Sequence, residues 1–519
     1  MNALLVYPEF PPTYWSHSYS LKMVGKKCLL PPLGLITVAA MLPSHWRSKL
    51  VDLNIESLSD RELRRADVVL LTGMQVQHRS VHEVLRRCRR LGVPTIIGGP
   101  YVTSEPHLLD DADYLVLGEA EGAMRSFWEE FEAGRADRVT QCAPTPEVAG
   151  SPVPRFDLLK RGAYHHQSVQ FSRGCPFTCD FCDIIVLFGR KPRTKSAEQV
   201  CAELDAIKAT GFRGSVFFVD DNFIGNKKAV RAVLPEIRRW QERNGWPFLF
   251  YTEASLNLSE DPGLMTGMRE AAFEAVFIGI ESPSAEALEG CGKTQNLKGD
   301  IVSRVHRVLE HGLDVWGGFI VGFDNDGSDI FDRQIEVIEK AAIPFAMVGV
   351  LQALPNTPLE SRLREGGRLR PLPMADQFGR TNFRTVLPES ELINGYKRIL
   401  ETIYKPERYL GRVITMMRLK KQTPLLGGRV RPRHLVWVAR ALLTQGLLAS
   451  YRRDYWRFLG EVWRWKPSRL GEAFFQAAAG HHFIEYTRRV VVPRLAEGAS
   501  AMVAPPRQTP ASAAAPTDW

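Results

Sequence analysis

The chain has 519 residues, 45% hydrophobic and 24% charged. That is too long for one ordinary domain, and it lacks the bias of a collagen-like or disordered chain. Lys plus Arg number 67 against 58 Asp plus Glu, a net charge of +9, and no window reaches about 18 uninterrupted apolar residues, which argues against a membrane span. Met1 to Pro8 reads as a short apolar strand without the basic stretch and cleavage site of a secretory signal.

In chain order, residues 1–142 alternate short apolar runs (Leu4–Tyr7, Val68–Thr72, Thr95–Gly98, Tyr114–Leu117) with helical patterns (Gly34–Met41, Val81–Leu91) and a turn region at Pro106–Asp110. This is the rhythm of an α/β, doubly wound, Rossmann-like parallel sheet. Residues 143–163 begin with the Pro-rich stretch Ala143–Pro154 and read as a linker.

Residues 164–390 repeat the alternation with six strand candidates: Ser168–Ser172, Ser215–Val219, Phe248–Thr252, Ala275–Ile280, Val315–Val321 and Ala346–Leu351. Helical patterns fall between them at Ala197–Thr210, Lys227–Arg243 and Leu297–His311. Six units in this length predict a partial (β/α)6 barrel with its reactive groups at the C-terminal strand ends.

Residues 391–497 predict a helical C-terminal extension, and 498–519 a disordered tail. Glu391 to Ser500 holds 21 basic and 8 acidic residues, more than the whole net charge. Such a surface suits an anionic membrane, an anionic substrate or nucleic acid as well as plain solvation. Leu435–Leu448, broken by Arg440, is too short to span a bilayer and reads as a buried or interfacial helix.

Of eight cysteines only Cys175, Cys179 and Cys182 cluster. The dispersal of the rest argues against a disulfide framework and suits a reducing cytoplasm. The three follow the first strand of the second unit, within Arg173-Gly174-Cys175-Pro176-Phe177-Thr178-Cys179-Asp180-Phe181-Cys182. Three thiolates on one loop can ligate three irons of a [4Fe–4S] cluster. Zinc needs a fourth ligand, which is not apparent, although His165 and His166 are near.

This Cys-x-x-x-Cys-x-aromatic-Cys spacing resembles the radical SAM superfamily. The resemblance implies an open fourth iron that chelates S-adenosylmethionine, and a 5′-deoxyadenosyl radical that takes hydrogen from substrate. It places Phe181 near the adenine. Further matches lie at the expected strand ends: Asp220-Asp221-Asn222, Glu253-Ala254-Ser255, Glu281-Ser282, the run Gly317–Phe323 with Gly318 and Gly322, and Leu354-Pro355-Asn356-Thr357-Pro358. Glu253, Ser255 and Glu281 are the expected contacts to the ribose or amino group, and Gly318 and Gly322 let backbone approach the cofactor. Asp220 and Asp221 are alternative substrate-facing groups.

Residues 1–142 resemble the cobalamin-binding domain fused to many radical SAM enzymes. Met74, Gln75, Val76 and Gln77 are the expected lower face of the corrin, and Gly98 and Gly99 the expected space for the nucleotide tail. The first strand is followed by Glu9-Phe10-Pro11-Pro12, without the Asp-x-His-x-x-Gly stretch that supplies a lower cobalt ligand in other cobalamin proteins.

With the tail element Gly480-His481-His482-Phe483-Ile484-Glu485-Tyr486-Thr487, the layout resembles the class B radical SAM methylases with a helical extension, the branch that includes hopanoid C-2 methylase. The resemblance implies methyl transfer to an unactivated carbon of a small-molecule or lipid substrate. It also implies a flavodoxin- or ferredoxin-like electron donor. The protein is expected in the cytoplasm without nucleic acid, its basic region suiting either peripheral contact with the inner face of the membrane or an anionic soluble substrate. Two other readings stay open. One is a radical enzyme of cyclisation, rearrangement or transfer of another fragment of S-adenosylmethionine. The other is a non-catalytic cobalamin or redox sensor.

Overall fold

A computed structural model describes residues 1–370, 381–421 and 432–503. The first unit is a six-stranded sheet of β1 (Asn2–Tyr7), β2 (Arg47–Asp52), β3 (Val68–Thr72), β4 (Thr95–Gly98), β5 (Tyr114–Leu117) and β6 (Val139–Gln141). All pairings are parallel, in the order β2-β1-β3-β4-β5-β6. The helix His78–Leu91 buries Val81, Val84, Leu85 and Cys88 against this sheet, the one-sided spacing of an amphipathic helix. β2 carries little sequence signal because its exposed positions, Arg47 and Lys49, are charged, and β6 because it is a three-residue edge. The strand order turns back between β1 and β3, so a crevice opens at their C-terminal ends.

The second unit starts with β7 (Gln167–Val169), β8 (Ser172–Arg173) and β9 (Arg193–Thr194) and continues with β10 (Gly214–Phe218), β11 (Phe248–Ala254), β12 (Phe273–Glu281), β13 (Asp314–Val321) and β14 (Ala346–Val350). Six of these form one parallel sheet in the order β14-β13-β12-β11-β10-β7, while β8 and β9 pair as an antiparallel ribbon. The expected single strand over Ser168–Ser172 is therefore two, split where the chain leaves the barrel wall for the cysteine loop. Residues facing the helices, such as Phe218, Phe250, Val276 and Val315, are fully buried. Those facing the barrel interior keep some free surface: Phe217, Phe277, Trp316 and Ile320 are half-buried.

An incomplete barrel leaves its last strand unpaired on one side, and unpaired carbonyls need donors. The helix Glu389–Ile403 supplies them: Tyr396 donates to the Val348 carbonyl at 3.0 Å and Tyr404 to that of Ala346 at 2.5 Å. The helices Pro406–Leu419, Pro432–Ala441, Arg452–Trp465, Leu470–Tyr486 and Val492–Val503 complete the C-terminal unit, with π-helical turns at Leu442–Leu448 and Thr487–Val491. The expected tail from 498 overlaps the last helix, and 504–519 lie outside the described residues. Among the described residues, no helix is long and apolar enough to cross a membrane.

Two connecting segments do more than connect. In Ala143–Pro154, read as a linker, the Ala149 carbonyl accepts from Gln199 and that of Pro146 from Arg193, while Ser151 donates to Glu121, so the stretch is bonded to both α/β units. Residues 9–32, between β1 and the helix Leu33–Ala39, include the short helix Ser18–Val24, leave the first unit and reach the helix Leu470–Tyr486. There Tyr14 packs on Tyr404, Phe483 and Tyr486 with ring centroids 5.1–5.5 Å apart, and the His17 and His482 rings stack at 5.2 Å.

His481 and His482 are thus structural. His482 Nε2 donates to the Thr13 carbonyl at 3.1 Å, and His481 Nδ1 meets the Tyr451 hydroxyl at 2.6 Å. Burial pushes both rings down to about 4. The unfolded chain takes up protons near 6.5 that the folded chain refuses, so stability is full above pH 6.5 and falls as pH drops towards 4. Each histidine should steepen the fall by about 1.4 kcal/mol per pH unit. Urea midpoints at pH 7.5 and 5 should therefore draw closer together in His482→Gln, and an unchanged gap would contradict this account.

Candidate functional site

The cysteine loop is held from behind by carboxylates. Asp220, after β10, accepts from the Phe171 and Ser172 N–H groups and from the Ser172 hydroxyl, and Asp221 accepts from the Gly174 N–H at 2.9 Å. Burial pushes these carboxyls up, to about 7 and about 6. They brace the loop rather than presenting themselves to substrate. Gly174 sits at φ +92°, and a Cβ there would stand 2.9–3.2 Å from three carbonyls of residues 188–191, so only glycine fits. Cys291 and Leu359 also fix the loop: Asp180 N–H donates to the Cys291 carbonyl and Leu359 N–H to the Asp180 carbonyl, each at 2.9 Å.

Cys179 is buried, with Cys175 and Cys182 partly so. Burial raises all three thiols, Cys182 to about 12. Amide donors already aim at sulfur: Asn222 Nδ2 lies 3.9 Å from Cys175 Sγ and Gln295 Nε2 3.7 Å from Cys179 Sγ. Among the described residues no three His, Cys, Asp or Glu converge on one ion. Thiolates that each take a different iron of a cube stand further apart than ligands of a single ion, so a cluster on these three cysteines does not need them to converge on one point. An open cleft of about 450 Å³ lies beside the loop, bordered by Pro176, Phe177, Asn222, Ser255 and Asn257.

The strand-end groups meet in front of this loop. Glu281 ends β12 at a register shift with φ +64°, a strained conformation for a residue with a side chain. Its carboxylate pairs with Lys293, whose Nζ also lies 5.9 Å above the Phe181 ring. A Cβ at Gly279 would collide with this pair, and Gly318 lies beside it, across from Phe277. Ser255 bonds Asn222 at 3.2 Å and Asn257 at 2.6 Å. Among the described residues Glu253 finds no hydrogen-bond or ion-pair partner, and burial with the nearby Asp221 and Asp220 charges pushes it up to about 8. Gly322 departs from the expectation: its missing side chain faces Leu392 and Leu351, and its N–H caps onto Asp326 at 2.7 Å. It serves the turn after β13.

Lys293 and Gln295 escaped the sequence reading of this site, and Asn222 entered it only as a member of the strand-end match Asp220-Asp221-Asn222. Lys293 has a weak sequence signal in Cys291-Gly292-Lys293, where a Cβ on Gly292 would lie 2.7 Å from the Thr178 carbonyl of the cysteine loop.

At the crevice of the first sheet, Gln77 is buried and structural. It donates to the Pro8 carbonyl at 2.6 Å and accepts from the Met74 N–H at 2.9 Å, tying the loops after β1 and β3 together. Gln75 bonds Glu105 at 3.0 Å, Val76 is half-buried, and Met74 projects, half exposed. Gly98 and Gly99 spend their missing side chains inside the sheet, against Val116 and Thr72.

This edge faces the cysteine loop: the helix Pro100–Ser104 packs on the helix Ile184–Leu187 just after Cys182, and Asn356 donates to the Ser104 carbonyl at 3.0 Å. Glu119 and Glu121, after β5, lock the two units. Glu119 pairs with Arg173 at 2.8 Å and Arg193 at 2.7 Å, and Glu121 with Arg173 at 2.7 Å. Burial alone would push the Glu121 carboxyl up, yet Arg173 holds it down at about 2.

A crevice at a topological switch point, a three-thiolate loop over a parallel partial barrel and a helical extension are thus assembled in one chain. Residues 27–127 match the B12 binding domain, 169–333 the radical SAM superfamily and 357–494 a domain of unknown function. The protein belongs to the cobalamin-dependent radical SAM methyltransferases, whose cofactors are a [4Fe–4S] cluster, S-adenosylmethionine and cobalamin.

Among its relatives, an uncharacterized methyltransferase of Synechocystis sp. is 40% identical over 508 residues, covering 96% of this chain and 94% of the relative. Hopanoid C-2 methylase of Rhodopseudomonas palustris is 33% identical over 498 residues, covering 93% of each. The fold is also that of the cobalamin-dependent radical enzyme OxsB (TM-score 0.58, 14% identity, 96% of this chain and 81% of that one). It is shared by the methyltransferase TsrM from Kitasatospora setae (TM-score 0.58, 14% identity, 85% and 99%).

Proposed function

We propose that this enzyme methylates an unactivated carbon of a ring-bearing lipid of the hopanoid kind. The observation that carries this is the end-to-end likeness to hopanoid C-2 methylase, 33% over 93% of both proteins. The barrel interior suits such a substrate. Tyr251 stacks on Phe217 at 4.6 Å and lies 5.1 Å from Trp316, while Trp15 closes on Phe277 at 5.1 Å. Within this apolar lining His166 Nδ1 meets the Tyr251 hydroxyl at 2.6 Å, a polar spot for a substrate hydroxyl.

When bound, the cofactors supply hydrogen-atom abstraction and a methyl donor, with the electron coming from an external reductant of the flavodoxin or ferredoxin type. Cys175, Cys179 and Cys182 hold the cluster, and the Asn222 and Gln295 amides donate to two of the sulfurs. Glu253, lacking a partner, is the open acceptor for the amino group of S-adenosylmethionine. Ser255, Glu281, Gly318 and Phe181 line the rest of its seat, and Lys293 fixes Glu281. Met74, Gln75 and Val76 face the corrin, with Gly98 and Gly99 shaping the edge beside it. The aromatic walls exclude water from a carbon radical.

Protein reconstituted anaerobically with iron, sulfide and cobalamin, and supplied with a low-potential reductant, should transfer label from methyl-labelled S-adenosylmethionine to a hopanoid in detergent. Formation of 5′-deoxyadenosine without label in any product would favour rearrangement over methylation. No 5′-deoxyadenosine at all would leave the sensor reading.

A further inference from the structure

The helix Pro432–Ala441, the π-helical turn Leu442–Leu448 and the helix Arg452–Trp465 form a hairpin whose outer side is apolar. Leu435, Leu443, Leu447, Leu448, Trp456 and Trp463 are each 52–71% exposed. Large apolar side chains scattered singly over a surface are ordinary, whereas a contiguous group is not. These are contiguous. Leu435, Ala439 and Leu443 recur every four residues, and Trp456 and Trp463 are two turns apart on the second helix. Trp456 lies on Gly446, its Nε1–H donating to that carbonyl at 2.9 Å, and so borders Leu447.

The rim is cationic. From Leu435 to Lys466 there are six basic residues and two acidic ones. Arg452, Arg453 and Arg464 are exposed and make no ion pair among the described residues. Leucine and tryptophan ringed by arginine is the chemistry of an element that lies in the interface of an anionic bilayer. The same surface is ill suited to a second copy of itself, because pairing would oppose arginine to arginine.

The inner side of the hairpin reaches the barrel base. Trp437 lies 6.5 Å from His165 of the segment leading into β7, and Tyr451 bonds His481. An element docked on lipid would therefore hold the base of the barrel against the bilayer.

We infer that this hairpin docks the enzyme on the surface of anionic phospholipid membranes, presenting the barrel to a membrane-resident substrate. The second clause rests on the lipid reading above, and the first does not. The test is flotation of the full-length protein with phosphatidylglycerol/phosphatidylethanolamine vesicles and, separately, phosphatidylcholine vesicles. The expected result is binding to the anionic vesicles, weakened by about 0.5 M salt. Leu447→Glu/Leu448→Glu should lower it about tenfold or more, with an unchanged thermal midpoint and unchanged turnover of detergent-dispersed substrate.

Equal flotation of variant and parent, or none by the parent, would overturn the docking surface. So would a parent dimer that the variant converts to monomer, since a second copy would then cover the patch. Vesicle binding without turnover of any lipid in detergent would support docking and sink the lipid substrate.

Discussion

Cys175→Ala, Cys179→Ala and Cys182→Ala should each abolish the cluster's visible absorbance and reduce 5′-deoxyadenosine formation to background. Three irons need three thiolates, and a cube held by two is prone to loss. Three carboxylates near the loop are already committed elsewhere. Asp220 and Asp221 are committed to backbone N–H groups, and Asp180 to Arg362 at 2.8 Å. Burial favours the protonated thiols, so metal loading must release protons and should be slower at low pH. Cys201→Ala, on the helix Ala197–Ala209, should load a full cluster. Normal iron content in any of the three variants would refute the assignment.

Glu119→Ala should cost about 3–5 kcal/mol in chemical denaturation, because it strips a buried carboxylate from two arginines that remain buried. Arg173 keeps Glu121, but Arg193 keeps only the Phe188 and Pro146 carbonyls. These arginines flank the cysteine loop, one on β8 and one on β9, so the damage should extend to chemistry. We expect the variant to retain less iron and to uncouple 5′-deoxyadenosine formation from methyl transfer, as the cobalamin edge loses its fixed distance to the barrel. Glu119→Gln, which keeps the shape and part of the hydrogen bonding, should fall between the two. A Glu119→Ala protein of unchanged midpoint and coupling would show that the two units are held by packing alone.

Much of this architecture was legible because it depends on local pattern. Val68–Thr72, Thr95–Gly98 and Tyr114–Leu117 were bounded by the alternation of apolar runs and turn residues, and the same boundaries occur in the folded protein. Buried parallel strands are apolar on both faces and stand out. Arg47–Asp52 was not legible because its exposed positions are charged, and Val139–Gln141 because three residues are too few to show a pattern.

At the site, what sequence could not show was which partner each group takes. Asp220 and Glu253 look alike as acids at strand ends. One is consumed by Phe171 and Ser172, 49 and 48 residues earlier, and the other is left open. Lys293 acquires meaning only because Gly279 makes room for its pairing with Glu281. Gly322, which reads like Gly318, differs because Leu392 of a separate helix lies against it.

The excursion of residues 9–32 bears on how the protein is made. Tyr14, His17 and Tyr19 leave the ribosome long before their seat, the helix Leu470–Tyr486, is made, with Tyr14 bonded to Thr487 at 2.6 Å across 473 positions of sequence. Through most of synthesis this aromatic segment has nothing native to cover it. It must wait while the barrel forms between its two halves, and domains that otherwise fold in order of emergence cannot finish until the last helices arrive. Nascent polypeptides arrested before residue 470 should expose this segment to chaperones and proteases, and release should extinguish that sensitivity.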